Sequence, residues 1–285
     1  MRGSNEPEAK ALTFGVGGTG TGSVANPNVL KTGLKVIDAL HMIAGARRPA
    51  TLKEIAEHLG VSEATAFRVA ETLIVTGLVE RSQEASGGYR ATMDVVALGS
   101  KVLNHFQLRQ LVMPELTRVA EEFGESVTLA IPQGDHVVFI ERITMDASVE
   151  FYCEIGKRLP LHSGAASRAI LAFLPEDRFE RYLSRPLSRL SDGTVVTAES
   201  VRKDRDDIRA LGYAVSVDDV DLGISGVAVP FLNGQAEPVG SAAVANLTAR
   251  WSEADWRKRG ERMCATAAAM ADKCFHLRVP GGGTL

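Results

Sequence analysis

From residue 29 onward, apolar side chains recur at the spacing of one helix face. Leu30, Leu34, Ile37, Leu40 and Ile43 predict a first helix over 29–44. Thr51 and Glu54 form a Thr-x-x-Glu capping box, and Leu52, Ile55, Ala56 and Leu59 follow it at i, i+3, i+4 and i+7. A second helix therefore starts at Thr51 and stops near Gly60, a residue suited to a left-handed helix end. Ser62 is placed to cap a third helix, whose Ala66, Val69, Ala70 and Leu73 form a core-facing stripe that ends before Gly77. Two helices joined by a turn of about three residues make a helix-turn-helix. Short extended pieces at 78–81 and 89–91, separated by the turn-rich SQEASGG, predict a β-hairpin beside it, a wing.

Beyond the wing, Val95, Val96, Leu98, Val102 and Leu103 predict a connecting helix through about Leu108, followed by the segment LVMPELTRVAEEFGES. Strand-like runs come next at 127–131, 137–142 and 149–153, then a helix over about 165–174. A helix over 200–211 precedes strands near 213–217, 227–232 and 239–247, and a C-terminal helix runs from Ser252 to about His276. Helices gathered around hairpin-linked strands predict an α+β fold rather than alternating βαβ units. Residues 1–28, rich in Gly, Ser, Thr, Asn and Pro, offer no apolar face and are expected to be a disordered tail. Gly15, Gly17 and Gly20 match the dinucleotide pattern GxGxxG, but neither the strand that should precede it nor the helix that should follow is present.

Composition narrows this picture. The 285 residues suit two unequal domains, and 45% hydrophobic with 24% charged residues is ordinary globular usage. The net charge of -3 does not advertise a nucleic-acid binder. Between residues 29 and 91, eight Lys/Arg face seven Asp/Glu, so attraction to phosphate must come from placement rather than excess. Cys153, Cys264 and Cys274 are too few and too scattered for a disulfide framework or a zinc site, and read as reduced thiols. Without an apolar secretion signal or membrane-length segment, the chain is expected to be cytoplasmic, and no metal or cofactor is expected.

In a helix-turn-helix the N-terminal residues of the second helix face base edges in the major groove. That makes Ser62, Glu63, Thr65, Phe67 and Arg68 the candidate DNA contacts, with Thr51 on the preceding helix and Arg81 and Arg90 on the wing. Phe67 fits the core and the groove equally well. Glu63 could accept from cytosine N4 or stand on a solvated face.

Several separated segments resemble the IclR family of bacterial regulators: TLKEIAEHLGVSEATAFRVAETLIVTGLVER from Thr51, GYR from Gly88, IGKRLPLHSGAASRAILAFLP from Ile155, and IRALGYAVSVDDVDLGISGVAVP from Ile208. The resemblance covers nearly everything from Val29 to about Val279. It implies a winged helix-turn-helix over 29–91, a linker helix over 92–108, and a GAF-like effector domain with a curved, mainly antiparallel sheet over 109–278, before a flexible tail at 279–285. By carry-over the effector site is Phe151, Gly164, Ala165, Ala166, Ser216, Asp218, Ile224, Gly226, Ala243 and Ala245, with His162 and Ser163 beside it. Small residues at a helix start let a carboxylate or carbonyl approach backbone N–H groups, and Ser163 and Ser167 offer hydroxyls; the same residues also suit plain helix-sheet packing.

The family's binders of very small oxo-acids carry Asp, Cys and Ser where this chain has Ser216, Gly226, Ala243 and Ala245. A larger, less polar cavity with Phe151 and Tyr152 implies an acid or amide bulkier than glyoxylate or pyruvate. The function expected is a ligand-responsive DNA-binding regulator, a repressor of a catabolic or metabolic operon. Its partners are double-stranded operator DNA, a small-molecule effector and its own copies, as dimers paired into tetramers. Two alternatives stand beside it: an enzyme acting through the C-terminal domain, and a constitutive DNA binder with a purely structural one. His162 beside Ser163 invites a catalytic reading, yet no GxSxG elbow accompanies it, so no catalytic residue is assigned. Asp218, Asp219 and Asp221 read as an acidic turn rather than a cation site.

Overall fold

The computed structural model describes residues 28–84, 87–103, 106–145, 154–187 and 196–280. The predicted strand at 149–153, the glycine-rich tail, and Phe151, Tyr152 and Cys153 lie outside the described residues. The chain divides into two compact units, one running to His105 and one beginning at Phe106.

The first unit holds α1 (Lys31–Gly45), α2 (Leu52–Leu59), α3 (Glu63–Val75), β1 (Val79–Arg81), β2 (Tyr89–Ala91) and α4 (Met93–Leu103). The apolar stripes meet as expected: Ala39 and Ile43 of α1 pack with Ile55, Ala56 and Leu59 of α2 and with Ala66, Val69, Ala70 and Leu73 of α3. Asp38 is buried against them, and its carboxylate lies 3.1 Å from His58 Nε2. β1 and β2 pair antiparallel, and Ala50 adds a bridge to Tyr89 through two backbone hydrogen bonds of 2.8 Å. That bridge needs Gly88, whose φ is 106° and where a Cβ would stand 2.9 Å from the Ala50 carbonyl oxygen. Gly60 ends α2 with φ 61°. Ser62 occupies the N-cap position of α3 but makes no side-chain cap; its hydroxyl lies 3.2 Å from that of Thr65 instead.

The predicted connector is shorter than its pattern. α4 stops at Leu103, and Leu108 belongs to the next helix, α5 (Gln107–Phe123), where it is buried. Leu108 packs closely over Gly240, where a Cβ would meet the Leu108 side chain and stand 2.9 Å from the Ala130 carbonyl oxygen.

The second unit continues with β3 (Ser126–Gln133), β4 (His136–Ile143), β5 (Arg158–Pro160), α6 (Ala165–Ala172), α7 (Glu176–Leu183), α8 (Ala198–Leu211), β6 (Ala214–Val217), β7 (Ile224–Leu232), β8 (Pro238–Leu247) and α9 (Glu253–Cys274). The six strands form one antiparallel sheet in the order β5-β4-β3-β8-β7-β6. Irregularities between Leu129 and Ala130 and between Phe231 and Leu232 bend it. Strand alternation splits its residues between two faces. One face, with Ala130, Ala228 and Ala243, packs on α6 to α8; α5 and α9 cover the other.

A buried carboxylate ties these layers together. Glu125, in the turn between α5 and β3, accepts from Arg259 of α9 at 2.8 and 2.5 Å, from Trp251 Nε1 at 2.7 Å and from Asn246 Nδ2 at 3.1 Å. Four donors satisfy both oxygens, and the Arg259 guanidinium is also stacked 4.6 Å from the Trp251 ring. Removing one partner of such a pair leaves the other buried and uncompensated, at a cost of about 3–5 kcal/mol. Glu125→Gln should therefore lower the unfolding free energy of the full chain by that order in urea titrations; a loss well under 1 kcal/mol would show that Arg259 is not held this way.

Candidate DNA-contacting surface and effector site

In the first unit the exposed start of α3 carries Ser62, Glu63 and Ala64, then Thr65, Phe67 and Arg68. Phe67 is 41% exposed, which places it on the presented face rather than in the core. The wing reaches the same face: the Arg81 guanidinium lies 5.7 Å from the centre of the Phe67 ring and donates to Glu71 at 2.5 Å. Glu71, one turn beyond Phe67, raises the Arg81 pKa above its ordinary value through that hydrogen bond and its charge. Arg90 donates to its cross-strand partner Glu80 at 2.7 Å. Arg68 is exposed and, among the described residues, makes no ion pair.

Thr51 has a different occupation. Its hydroxyl accepts from the Glu54 N–H at 3.3 Å and donates to the Glu54 carboxylate at 2.9 Å, and its own N–H donates to that carboxylate at 2.8 Å. It is the N-cap of α2.

In the second unit the strand register brings the predicted effector residues into cross-strand rows. Ser126 of β3 stands opposite Ala245 of β8, which faces Gly226 of β7, which faces Ser216 of β6. The next row is Thr128, Ala243, Ala228 and Ala214. Ser216, Gly226, Ala243 and Ala245 are thus neighbours on the face that packs on α6, and Ile224 flanks them. Ser241, two residues before Ala243 on that face, donates its hydroxyl to the Ala166 carbonyl at 2.8 Å and fixes α6 against the sheet.

The start of α6 is formed by Gly164, with φ 78° and ψ 155°, a conformation that only glycine adopts without strain. Its N–H donates to Asp219 Oδ2 at 3.2 Å, the Ser216 hydroxyl donates to Asp219 Oδ1, and Arg168 Nη1 lies 3.4 Å from Oδ2. Arg168 also donates to Asp204 at 2.7 Å and to the Val215 carbonyl at 2.9 Å. The anion position at the helix start is therefore filled by the chain's own Asp219. Asp218 points elsewhere: with φ 55°, its carboxylate accepts from the Gly223 N–H at 2.7 Å and the Thr248 hydroxyl at 2.9 Å. Asp221 pairs with Lys157 at 3.5 Å.

His162 and Ser163 are buried just before α6. His162 Nδ1 lies 2.5 Å from the Tyr182 hydroxyl oxygen, which also accepts the His162 backbone N–H at 3.3 Å. Burial pushes the Tyr182 phenol up to about 12, so it keeps its proton for that contact. This contact links the segment just before α6 to α7. Among the described residues no cluster of three His, Cys, Asp or Glu side chains could hold a metal ion.

Sequence reasoning missed Ser126, Thr128, Arg168 and Glu71, and read Asp219 only as part of an acidic turn. Ser126 and Thr128 do carry a signal, as the alternate polar positions of the otherwise apolar strand SVTLAI.

A family model described as bacterial transcriptional regulator IclR C-terminal matches residues 100–272, and one described as IclR helix-turn-helix domain matches residues 34–83. The chain is similar to the glycerol operon regulatory protein of Streptomyces coelicolor, 30% identical over 211 residues that cover 74% of this chain and 82% of that one. It is also similar to the transcriptional repressor IclR of Escherichia coli, 27% identical over 78% of this chain and 80% of the relative. Among solved structures, the fold matches the Thermotoga maritima IclR with a TM-score of 0.74 at 24% identity, covering 85% of this chain and 98% of that one. It matches an IclR homologue from Microbacterium hydrocarbonoxydans, complexed with 4-hydroxybenzoate, with a TM-score of 0.67 at 24% identity over 84% and 99% of the two chains.

The α2 cap yields a pH dependence. The Arg48 guanidinium first, then the Thr51 backbone N–H and hydroxyl, hold the Glu54 carboxyl at about 2 against an ordinary 4.5. A depressed carboxyl stabilises the fold fully above its unfolded value and loses that contribution as pH falls through its folded one. The stability advantage of the wild type over Glu54→Gln should be constant above about pH 5 and shrink between about 4.5 and 2, followed by circular dichroism of the full chain.

Proposed function

The chain belongs to the IclR family of bacterial transcriptional regulators, with a helix-turn-helix domain and an effector domain, and from that premise we propose that it is a ligand-responsive repressor of a catabolic or metabolic operon. The observation that carries the sensing half is the row Ser216, Gly226, Ala245 and Ser126 beneath α6: four adjacent strands that place no bulky side chain there. A floor of that kind leaves room for a ligand larger than glyoxylate or pyruvate. The effector is a small organic acid or amide. The 4-hydroxybenzoate bound by the Microbacterium homologue is of suitable size and supports an aromatic acid as the first class to try.

The DNA-binding half works through the α3 face and the wing in the major groove and on the flanking phosphates. The groups offered are Ser62, Glu63, Thr65, Phe67 and Arg68 on the helix, with Arg81 and Arg90 on the wing. Two copies would act together. α4 buries none of its residues, and Met93, Val96, Leu98 and Val102 are exposed along it, as are Leu30 and Ile37 by α1. A short helix with no buried face gains its stability from a partner, and a second copy of this chain supplies one while presenting two α3 helices to two half-sites. Dimers of dimers through the effector domains complete the assembly. The site of action is the cytoplasm; among the described residues no helix is long and apolar enough to cross a membrane.

Effector binding changes DNA affinity only if the ligand prefers one of two arrangements. A thermal-shift panel of aliphatic and aromatic acids and amides, run beside a gel shift on the gene's own upstream DNA, tests the reading. A ligand at roughly 100 times its Kd adds about 2.7 kcal/mol of stability and should change the shifted fraction. A panel without a hit, or hits that leave DNA binding untouched, removes the sensing half.

Arg68→Ala tests the DNA-binding half. A base contact of a free arginine is worth about 1–3 kcal/mol, so the variant should bind upstream DNA at least roughly fivefold more weakly by fluorescence anisotropy. If Arg68 contacts phosphate instead, the loss is uniform across sequences and the salt slope drops by about 1. Unchanged affinity and slope would take Arg68 out of the interface.

A further inference from the structure

Among the described residues, four buried side-chain polar atoms have no hydrogen-bond partner: Ser126 Oγ, Thr128 Oγ1, Ser167 Oγ and Trp256 Nε1. Two of these, Ser126 and Thr128, are alternate residues of one strand, 4% and 3% exposed, on the sheet face that packs on α6. Each opens one of the two rows of small residues described above. A buried hydroxyl without a partner costs free energy, and apolar residues would fill the strand without that cost. Two such groups side by side, at one end of a floor of alanine and glycine, form a polar patch built for something that is not part of the chain.

The opposite end of the same row is Ser216, whose hydroxyl is already committed to Asp219, as is the Gly164 N–H. Three strand spacings separate β3 from β6, roughly 14 Å along the row. Between the two polar ends, Ala245 and Gly226 present only methyl and hydrogen.

We infer that the Ser126 and Thr128 hydroxyls form a second polar subsite of the effector site, which takes a hydroxyl or carbonyl oxygen at the far end of a compact ligand with an apolar middle. A hydroxyl both donates and accepts, so this pair suits a phenol, an alcohol or an amide oxygen, and it discriminates against the same molecule ending in hydrogen or methyl. The inference rests on the sensing reading above and deepens it: it selects, among bulky acids and amides, those with a second oxygen function distant from the first.

The test uses benzoate and 4-hydroxybenzoate on the full-length protein, with Thr128→Val, Ser126→Ala and the hydroxyl-retaining Thr128→Ser. Wild type should bind 4-hydroxybenzoate roughly tenfold more tightly than benzoate by calorimetry, the worth of about one buried hydrogen bond. Thr128→Val and Ser126→Ala should lose that preference, with the two acids then bound about equally, and Thr128→Ser should retain it. Without ligand, Thr128→Val and Ser126→Ala should melt at the wild-type temperature or above, since each removes an unpaired polar group. A lower melting temperature in the ligand-free variants would assign the hydroxyls to internal support or a resident water and overturn the subsite. So would an unchanged preference, or failure of wild type to bind 4-hydroxybenzoate. If the wider panel finds a tight ligand with no second oxygen, the sensing reading stands and the subsite alone falls.

Discussion

Glu125 is the charge around which the second unit is arranged. An ionised carboxylate cannot be buried without donors, and this one is met by four, drawn from α9, from β8 and from the turn that follows β8. Glu125 immediately precedes Ser126 and its donor Asn246 immediately follows Ala245, so the bond between them pins Ser126 opposite Ala245. A slip of one residue would turn every side chain of β3 to the wrong face. The row of small residues, and the two hydroxyls at its end, therefore inherit their placement from an ion pair on the other side of the sheet.

The fold was largely legible where its cause is local. The Thr51–Glu54 box, the i, i+3, i+4 stripes of α1 to α3 and the apolar runs of β3, β7 and β8 are written within a few residues of each other, and the elements formed near their expected bounds. The misses are elements whose identity comes from elsewhere. β5 is three residues long and exists because it pairs with β4. α7, EDRFERYL, is mostly charged and is held by burial of Phe179, Tyr182 and Leu183. At the site the same division holds. Small residues could be assigned to the pocket by resemblance, but Asp219 and Arg168 meet across 51 residues and Glu71 and Arg81 across 10, distances over which sequence spacing says nothing. The resemblance also set Asp218 at the effector, where the positive φ of Asp218 turns its carboxylate toward Thr248 and leaves Asp219 facing the helix start.

The near-neutral charge of the first unit has a structural counterpart. Its wing arginines are held by glutamates, Arg81 by Glu71 and Arg90 by Glu80, and all four side chains remain substantially exposed. Exposed pairs of this kind are worth little, at most about 1 kcal/mol, so a phosphate or a guanine edge can take either arginine without a large penalty. What the pairs contribute is position, since Arg81 is kept against Phe67 before DNA arrives. Weak, preorganised contacts of this sort would give modest affinity to one copy, and in the proposed dimer they would add up to tight binding only when both α3 helices engage at once.

Under the proposed function, the connection between the units would have to carry the ligand's effect. Only residues 104–106 lie between the end of α4 and the start of α5. α5 in turn ends at Gly124, next to Glu125, and its first turn is seated by Leu108 at Gly240. A ligand at the proposed Ser126–Thr128 subsite would act on the strand directly attached to that helix. Tight binding alone changes nothing, because a ligand with equal affinity for both arrangements shifts neither. Hydroxyls left unpaired in the ligand-free protein are a source of such a difference: their cost is removed only when the ligand is present, and in whichever placement of β3 lets both reach it. Under the proposed subsite, the stability given up at two buried positions would be free energy available for switching.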